Sequence, residues 1–459
     1  MPNFKKLAKN YENNALEALK VLASKPSVYD EASIKEGAPY GDGVKAALDF
    51  VAKLGKDYGF TVDTCQGRAT ELSFGEGEGP LIGIYAHADV VPASGKWDNP
   101  PFAPKVYGEG KDAKIVARGV SDDKGPLIAA FFALKLLKDN GLIHGYRVRL
   151  VAGGDEERGS SCLEYYFHKL HKPDSDYGFT PDADFPLIYA EKGITRADAI
   201  LKEDLSPIIA MDGGTVSNAV CDRLIVTLPF DKGLEKALKE QGINASITPI
   251  GEIMMVTFNG KTAHGSTPQI GDNAALKAFA FLGKHYQIPA LSRFAEKASD
   301  PFGKSFGGYS HSKELGDSTF NYGVIRYESA KKTLTVSIDF RYGEDAKPEE
   351  ALSAFSKETG CQVEVRSTSP MLLFDKKSPL VSTLMKSYRR MTLRLFDKPM
   401  AIGGGTYAKE AKNCVAYGSA FPGHPGDIHS PNEYLYLSDL YAQIAIYADA
   451  IYSLGKLKK

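Results

Sequence analysis

The first third of the chain alternates helical and strand-like hydrophobic patterns. Apolar residues recur at helical spacing near 11–23 and 45–58, and the segment PLIGIYAHADVV is apolar at almost every position. A strand that is apolar on both faces is typical of the centre of a sheet covered by helices on each side. The strand-like IVARGV, the helical GPLIAAFFALKLLKDNG and the strand-like YRVRLVAGG follow in turn. This alternation predicts an α/β fold with helices on both faces of the sheet.

The pattern changes after about residue 192. Alternating strands separated by amphipathic helices follow, among them RADAILKEDL, CDRLIVTLPF and TLTVSIDFRYG. From about residue 377 the chain resumes with a helix, a short apolar segment CVAYGS and a closing helix, LSDLYAQIAIYADAIYSL. We therefore predict a first domain formed by residues 1–192 and 377–459, with a smaller α+β domain inserted over residues 193–376.

Length and net charge limit the number of domains and the kinds of partner that we expect. With 459 residues the chain exceeds the size of one hydrophobic core, which agrees with two domains. Its net charge of -1 gives no overall field to attract a phosphate backbone or an anionic membrane. We expect neither nucleic acid nor a membrane as a partner.

The termini and the cysteines indicate a cytoplasmic protein. The N-terminal segment lacks the unbroken apolar region and the cleavage site of a signal peptide, and the longest apolar runs are too short to span a bilayer. The five cysteines are scattered, without a C-x-x-C pair that would indicate a disulfide framework or a thiolate zinc site. We expect them to be reduced thiols.

Histidine and carboxylates occur where the predicted strands end. His87 ends an apolar strand two residues before Asp89, so Asp89 could accept the second ring N–H of a metal-bound His87. Asp122 and Asp123 lie in a turn before a helix, where capping is the simpler explanation. A lone strand-end histidine is also more often a core residue than a metal ligand.

A third group, Asp155, Glu156 and Glu157, follows the strand YRVRLVA in a glycine-rich loop. Neighbouring side chains of an extended segment point opposite ways, so one glutamate could bind metal while the other faces the reacting water. An acidic surface turn is the alternative. Asp182 and His429 add a further carboxylate and imidazole. Together these groups favour a site at the strand ends, with ligands that suit zinc, manganese or cobalt better than calcium.

The ordered motifs HADVVP, RGVSDDKGP, DEE, PDADFP, NGKTAHGSTP and HSPNE resemble those of the M20 metallopeptidase family. Within that family the likeness is to bacterial dipeptidases, and it covers nearly the whole chain. The resemblance implies a zinc-peptidase-like catalytic domain, with a mixed sheet flanked by helices, interrupted by an inserted α+β lid domain.

The resemblance also implies roles for individual residues. Two divalent ions, most simply Zn2+ with Mn2+ or Co2+ as alternatives, would share Asp122 as a bridge, and Asp89 and Glu156 would be catalytic, Glu156 as the general base. A cis peptide between Asp122 and Asp123 is also implied. The metal ligands would be His87, Asp122, Glu157, Asp182 and His429.

Lid residues Asn218, His264 and Arg341 match family positions that contact the substrate, although a structural role is nearly as good an explanation for Asn218. We expect His264 to stabilise the oxyanion. Arg341 and the main chain from Gly404 to Thr406 would bind the C-terminal carboxylate of a small peptide substrate, which would limit substrates to dipeptides.

Several alternatives remain. An N-acyl amino acid hydrolase or a desuccinylase would share the metal site, and a non-catalytic homologue would be expected to lack part of it. The G-G-G-T-Y-A segment at Gly403 lacks the context of a dinucleotide-binding motif, and no G-x-S-x-G elbow indicates a serine hydrolase. The oligomeric state, monomer or homodimer, stays open.

Overall fold

The computed structural model describes residues 2–459 and divides them into two compact units. The first comprises the chain up to Tyr189 together with 373–400 and 406–459, and the second comprises 190–372 and 401–405. The boundaries after residues 189 and 372 lie a few residues before the predicted domain boundaries at 192 and 376. The short segment 401–405 lies in the second unit, although the prediction assigned it to the first domain.

A mixed sheet of nine strands organises the first unit. Strand 81–87 pairs in parallel with 147–153 and with 177–180, so three carboxyl ends meet at one edge of the sheet. In spatial order the strands are Thr61–Asp63, Ala69–Phe74, Arg147–Gly153, Leu81–His87, Tyr177–Thr180, Cys414–Ala416, Ile188–Glu191 and Leu372–Leu373, and Met400–Ile402 pairs with Ile188–Glu191.

The five predicted helices of the first unit are present, and Phe4–Ala8 and Ser161–His168 are two further helices that were not predicted. The helix Lys124–Asp139 is buried on almost every side, as its continuous apolar sequence requires, and it packs against the closing helix Leu437–Leu454. Ser378 caps the helix that begins at Pro379 by accepting the main-chain N–H of Val381. The α-helices of this unit are Phe4–Ala8, Glu12–Ala23, Asp42–Asp57, Lys124–Asp139, Ser161–His168, Pro379–Thr392 and Leu437–Leu454.

A separate three-stranded sheet connects distant parts of the first unit. Its strands are Lys105–Tyr107, Lys114–Val116 and Tyr434–Tyr436. Tyr434 lies opposite Val116 in an antiparallel pair. This pairing places the HSPNE motif beside the segment that carries Asp122.

An antiparallel sheet of eight strands forms the core of the second unit. In strand 333–342 the even-numbered residues belong to the hydrophobic core, so the odd-numbered Asp339 and Arg341 lie on the opposite face. The strands, in spatial order, are Ala245–Ile250, Ile253–Asn259, Arg223–Pro229, Ala210–Gly213, Thr319–Glu328, Thr333–Tyr342, Gly193–Lys202 and Gln362–Ser369. The α-helices are Leu234–Glu240, Ala274–His285, Pro289–Ala298 and Pro348–Thr359, and His311–Ser312 pairs with Gly316–Asp317.

Short 3-10 helices occupy Lys9–Tyr11, Glu31–Ser33, Cys65–Gly67, Gly110–Asp112, Pro268–Ile270, Lys304–Phe306 and Tyr407–Lys409. The five cysteines are buried free thiols. Within residues 2–459, no helix has both the length and the apolar character needed to cross a bilayer.

Candidate metal centre

Four of the five predicted metal ligands are placed by the strands and turns of the first sheet. His87 is the last residue of strand 81–87, Glu157 follows strand 147–153, and Asp182 follows strand 177–180. Asp122 lies in the turn before helix 124–139. Since these strands are parallel, their carboxyl ends bring the side chains to one edge, which is where open α/β sheets place their sites.

The five side chains form two adjacent groups that share Asp122. In the first, Nε2 of His87 lies 3.0 Å from Oδ1 of Asp122 and 3.8 Å from Oδ2 of Asp182. In the second, Nε2 of His429 lies 2.9 Å from Oδ2 of Asp122 and 3.2 Å from Oε1 of Glu157. The ligand atoms of each group lie within 4.8 Å of one another. The two oxygens of Asp122 therefore face two different histidines, as a bridging ligand requires.

The donor set fits divalent cations. Each group offers one imidazole nitrogen and two carboxylates, a mixture that suits zinc, manganese or cobalt. Burial and the charge of Asp122 raise the pKa of Asp182 to about 7, and the same two causes raise the pKa of Glu157. Crowded buried carboxylates of this kind are stabilised by positive charge, which bound metal ions provide.

The neighbouring carboxylates also shift the pKa values of the two histidines. Hydrogen bonds to Asp122 and Glu157 raise the pKa of His429 to about 10. Burial opposes charge on His87, but hydrogen bonds to Asp122 and Asp89 outweigh it and raise its pKa well above the ordinary value. Burial would raise the pKa of Asp122, yet hydrogen bonds from His429 and His87 lower it. Metal binding at these residues must therefore displace protons.

Asp89 contacts His87 differently from the prediction. Nδ1 of His87 lies 3.0 Å from the main-chain oxygen of Asp89, whereas the nearest carboxylate oxygen is 3.4 Å away. The strand ends at His87, so the two residues do not share a strand face. The Asp89 carboxylate instead accepts the main-chain N–H groups of Glu156 and Glu157, each at 3.1 Å. Asp89 thus holds the loop that carries both glutamates.

Glu156 and Glu157 lie in a turn rather than in the extended segment that we predicted. The main-chain N–H of Gly159 donates to the oxygen of Glu156 at 3.1 Å, which closes the turn over residues 156–159. Oε1 of Glu157 lies 3.2 Å from Nε2 of His429. Glu156 lies close enough to Asp182 and His87 for their charges to shift its pKa. Burial, followed by the charge of Asp182, raises the pKa of Glu156 well above its ordinary value. A carboxyl in this state holds a proton readily.

Glu433 is a functional candidate that the sequence analysis did not identify. It is 1% exposed, and its carboxylate accepts main-chain N–H groups of Gly119 at 3.0 Å, Ser121 at 2.9 Å and Asp122 at 3.2 Å. Arg118 donates to it at 2.7 Å. The only sequence signal is its place at the end of the HSPNE motif. The peptide bond between Asp122 and Asp123, in the loop that Glu433 holds, is cis, as the resemblance implied.

The predicted substrate-binding residues are divided between the two units. Thr406 lies in the first unit, where its side chain caps the 3-10 helix 407–409. Asn218 and His264 are neighbours in the second unit, since Gly265 donates its N–H to the Asn218 oxygen at 2.7 Å. Arg341 and Gly404 also belong to the second unit.

His264 is held within its own loop. Its Nδ1 lies 2.7 Å from Oγ of Ser266. Partial burial and the positive charge of Arg341 lower the pKa of His264, which favours the neutral ring. A neutral imidazole has one N–H donor and one acceptor.

Comparison with known proteins gives this arrangement its context. The family model described as "Peptidase family M20/M25/M40" matches residues 83–453. The chain belongs to this peptidase family. The predicted family and the predicted enzyme class, an M20 peptidase, are therefore confirmed.

Similar proteins resemble this M20 peptidase over nearly its whole length. A protein of Staphylococcus aureus (strain USA300) named "Putative dipeptidase" is 34% identical, with 98% of this chain and 99% of that protein covered. The crystal structure of a tripeptidase from Staphylococcus aureus has a TM-score of 0.59 at 16% identity, covering 97% of this chain and 99% of that one.

The dipeptidase Dug1p of Saccharomyces cerevisiae also has a TM-score of 0.59, at 14% identity, covering 99% and 98% of the two chains. At these identities the structural likeness concerns the fold. It confirms the predicted fold class, a mixed-sheet catalytic domain with an inserted α+β domain.

Replacing Glu433 by glutamine tests whether the Asp122 loop depends on this carboxylate. We expect Glu433→Gln to weaken metal binding by about 10- to 100-fold, because the amide has one acceptor oxygen in place of two and points N–H groups at N–H donors. Competition with a metal chelator measures the affinity. Asp439→Asn, which removes the negative charge that lies 2.7 Å from Nδ1 of His424 in the same unit, is the control and should leave the affinity unchanged. Equal affinities for both variants would contradict the role of Glu433.

Proposed function

We propose that this M20 peptidase is a metal-dependent dipeptidase that hydrolyses dipeptides with a free C-terminal carboxylate. The observation that carries the proposal is the cluster of His87, Asp122, Glu157, Asp182 and His429 with Glu156 beside it. The dipeptidase name of the 34% identical relative supports the substrate class. A cytoplasmic location and a monomeric or homodimeric state remain predictions.

We assign His87 and Asp182 to one metal ion, Glu157 and His429 to the other, and Asp122 to both. The support is the way the two oxygens of Asp122 face the two histidines, at 3.0 and 2.9 Å. Two divalent ions, zinc first and manganese or cobalt as alternatives, would polarise the scissile carbonyl and lower the pKa of the attacking water. All remaining steps belong to side chains of this protein.

In the proposed reaction Glu156 takes a proton from the attacking water. The resulting hydroxide adds to the peptide carbonyl, and Glu156 then transfers its proton to the nitrogen of the leaving amine as the C–N bond breaks. The raised pKa of Glu156 suits a group that must hold a proton between these two steps. Asp89 serves this reaction by anchoring the main chain of Glu156.

The second unit would supply substrate contacts. We propose that neutral His264 donates a hydrogen bond to the oxyanion, which requires the N–H on its Nε2. Arg341, with main-chain groups at Gly404 and Thr406, would bind the substrate carboxylate, and Asn218 would contact the substrate beside His264. The lowered pKa of His264 supports its role as a neutral donor.

Metal removal combined with a substrate panel tests the function directly. Chelation should abolish hydrolysis of dipeptides, and Zn2+, Mn2+ or Co2+ should restore it, because the proposed mechanism needs metal ions to lower the pKa of the water before Glu156 can take its proton. The same panel should include N-acetylated and N-succinylated amino acids, since a deacylase or desuccinylase would share the metal centre. Faster turnover of the acylated amino acids than of any dipeptide would contradict the proposal.

The role of Glu156 is tested by an isosteric change. Glu156→Gln should lower kcat by about 100- to 10,000-fold, because the amide cannot accept the proton of the water. Metal content, measured by atomic emission, should stay that of the unchanged protein, since Glu156 is not assigned as a ligand. Retained turnover would exclude Glu156 as the general base, and lost metal would reassign it as a ligand.

The role of Arg341 is tested by comparing dipeptides with their C-terminal amides. Arg341→Ala should lower kcat/KM for the free dipeptide by about 10- to 100-fold and affect the amide much less, because only the carboxylate forms charge-assisted hydrogen bonds. Arg326→Ala, on the neighbouring strand and bonded to the Gly213 oxygen, is the control. Equal losses for both substrates in Arg341→Ala would refute carboxylate binding.

A further inference from the structure

Asp339 is a buried carboxylate that the reaction described above does not use. It lies on strand 333–342, two residues before Arg341, so both side chains leave the strand on the same face. Asp339 is 0% exposed. A carboxylate at such a position is costly unless it is paired and hydrogen-bonded.

Its closest partner is the guanidinium of Arg341, and Nε of Arg196 lies farther away, 3.7 Å from Oδ2. Nε of Arg341 donates to Oδ1 of Asp339 at 2.6 Å, and Nη2 approaches Oδ2 at 3.4 Å. These two contacts occupy one edge of the planar guanidinium. A third N–H, on Nη1, donates to the main-chain oxygen of Gly403 at 2.6 Å. The guanidinium is therefore fixed from two directions.

This arrangement leaves a defined part of the guanidinium available. A guanidinium has five N–H groups, and three of them make the contacts just described. One N–H on Nη1 and one on Nη2 make no hydrogen bond to a residue that the structure describes, and Arg341 as a whole is 2% exposed. Where both of these N–H groups lie on the edge that points away from Nε, they can bind both oxygens of one carboxylate.

We propose that Asp339 is a positioning residue that aims the two remaining N–H groups of Arg341 at the C-terminal carboxylate of the substrate. The inference rests on the proposed function, because it requires Arg341 to bind that carboxylate. It gives Asp339 a part in substrate choice: by orienting Arg341, it would favour peptides with a free carboxylate over those whose C-terminus is blocked.

A purely electrostatic role for Asp339 predicts the opposite effect. Its negative charge partly cancels the field of Arg341, so its removal would strengthen the attraction between Arg341 and any anion. If positioning dominates, removal of the charge weakens the selection of free carboxylates, because the unconstrained guanidinium must be ordered when substrate binds. The sign of the change distinguishes the two roles.

The experiment measures the ratio of kcat/KM for a dipeptide to kcat/KM for its C-terminal amide. Asp339→Asn should lower this ratio about tenfold or more, since charged hydrogen bonds of this kind depend on alignment. In the double variant Asp339→Asn with Arg341→Ala, the ratio should equal that of Arg341→Ala alone. A ratio that is unchanged or raised in Asp339→Asn would overturn the proposal.

A matched control separates positioning from a general loss of stability. Asp449 is also 0% exposed and pairs with an arginine through the same atoms, since Nε of Arg390 donates to its Oδ1 at 3.1 Å and Nη2 of Arg390 contacts its Oδ2. Asp449→Asn should lower the melting temperature yet leave the substrate ratio unchanged. An equal fall of the ratio in this control would also overturn the role of Asp339.

A further variant covers the case in which Asp339→Asn does not fold. Asp339→Glu keeps the charge but moves the carboxylate outward by one methylene, which turns the guanidinium. The ratio should fall, and an unchanged ratio would overturn the proposal.

The proposed function and the positioning role are contradicted by different results. The proposed function is wrong if the unchanged protein hydrolyses no dipeptide. The positioning role is wrong if Arg341→Ala lowers the ratio and the Asp339 variants do not.

Discussion

The crowding of carboxylates at one edge of the first sheet is the constraint on which the site depends. Asp122 is shared by the two groups of candidate ligands, and burial together with the charge of Asp122 raises the pKa values of Asp182 and Glu157. Such a cluster is unfavourable unless positive charge is present. In the proposed metal centre, ion binding and the local fold would be coupled, because the arrangement that offers ligands to cations is also the one that positive charge stabilises.

A layer of main-chain hydrogen bonds keeps these ligands in place. Glu433 accepts three N–H groups from the loop of Asp122, and Asp89 accepts two from the loop of Glu156 and Glu157. In both cases a buried carboxylate accepts main-chain N–H groups of a turn that lies outside the regular helices and strands. The loops that carry the proposed ligands are thus held by carboxylates that bond to their main chain, as outer-shell residues do around known metal sites.

The sequence was informative where the interactions are local. The closing helix was predicted at its observed bounds, Leu437–Leu454, because its apolar pattern is long and regular. The candidate ligands were identified because each stands in a short motif, most of them near a strand end. Glu433 was missed because its partners lie more than 300 residues away, and the acceptor used by His87 depends on where the strand ends. No local sequence pattern indicates that residues 401–405 belong to the second unit.

The assignment of residues 401–405 to the second unit has a consequence for exchanging domains between related enzymes. The chain passes between the units after residues 189, 372, 400 and 405, so the second unit is built from two pieces of the gene rather than one. The smaller piece contains Gly403, whose oxygen holds Arg341. An exchange of residues 190–372 with a relative would transplant the arginine, while the recipient's own residues 401–405 would have to supply the main-chain oxygen that it binds. Any residue type at position 403 carries that oxygen, so the contact would survive the exchange wherever the recipient's main chain follows the same path.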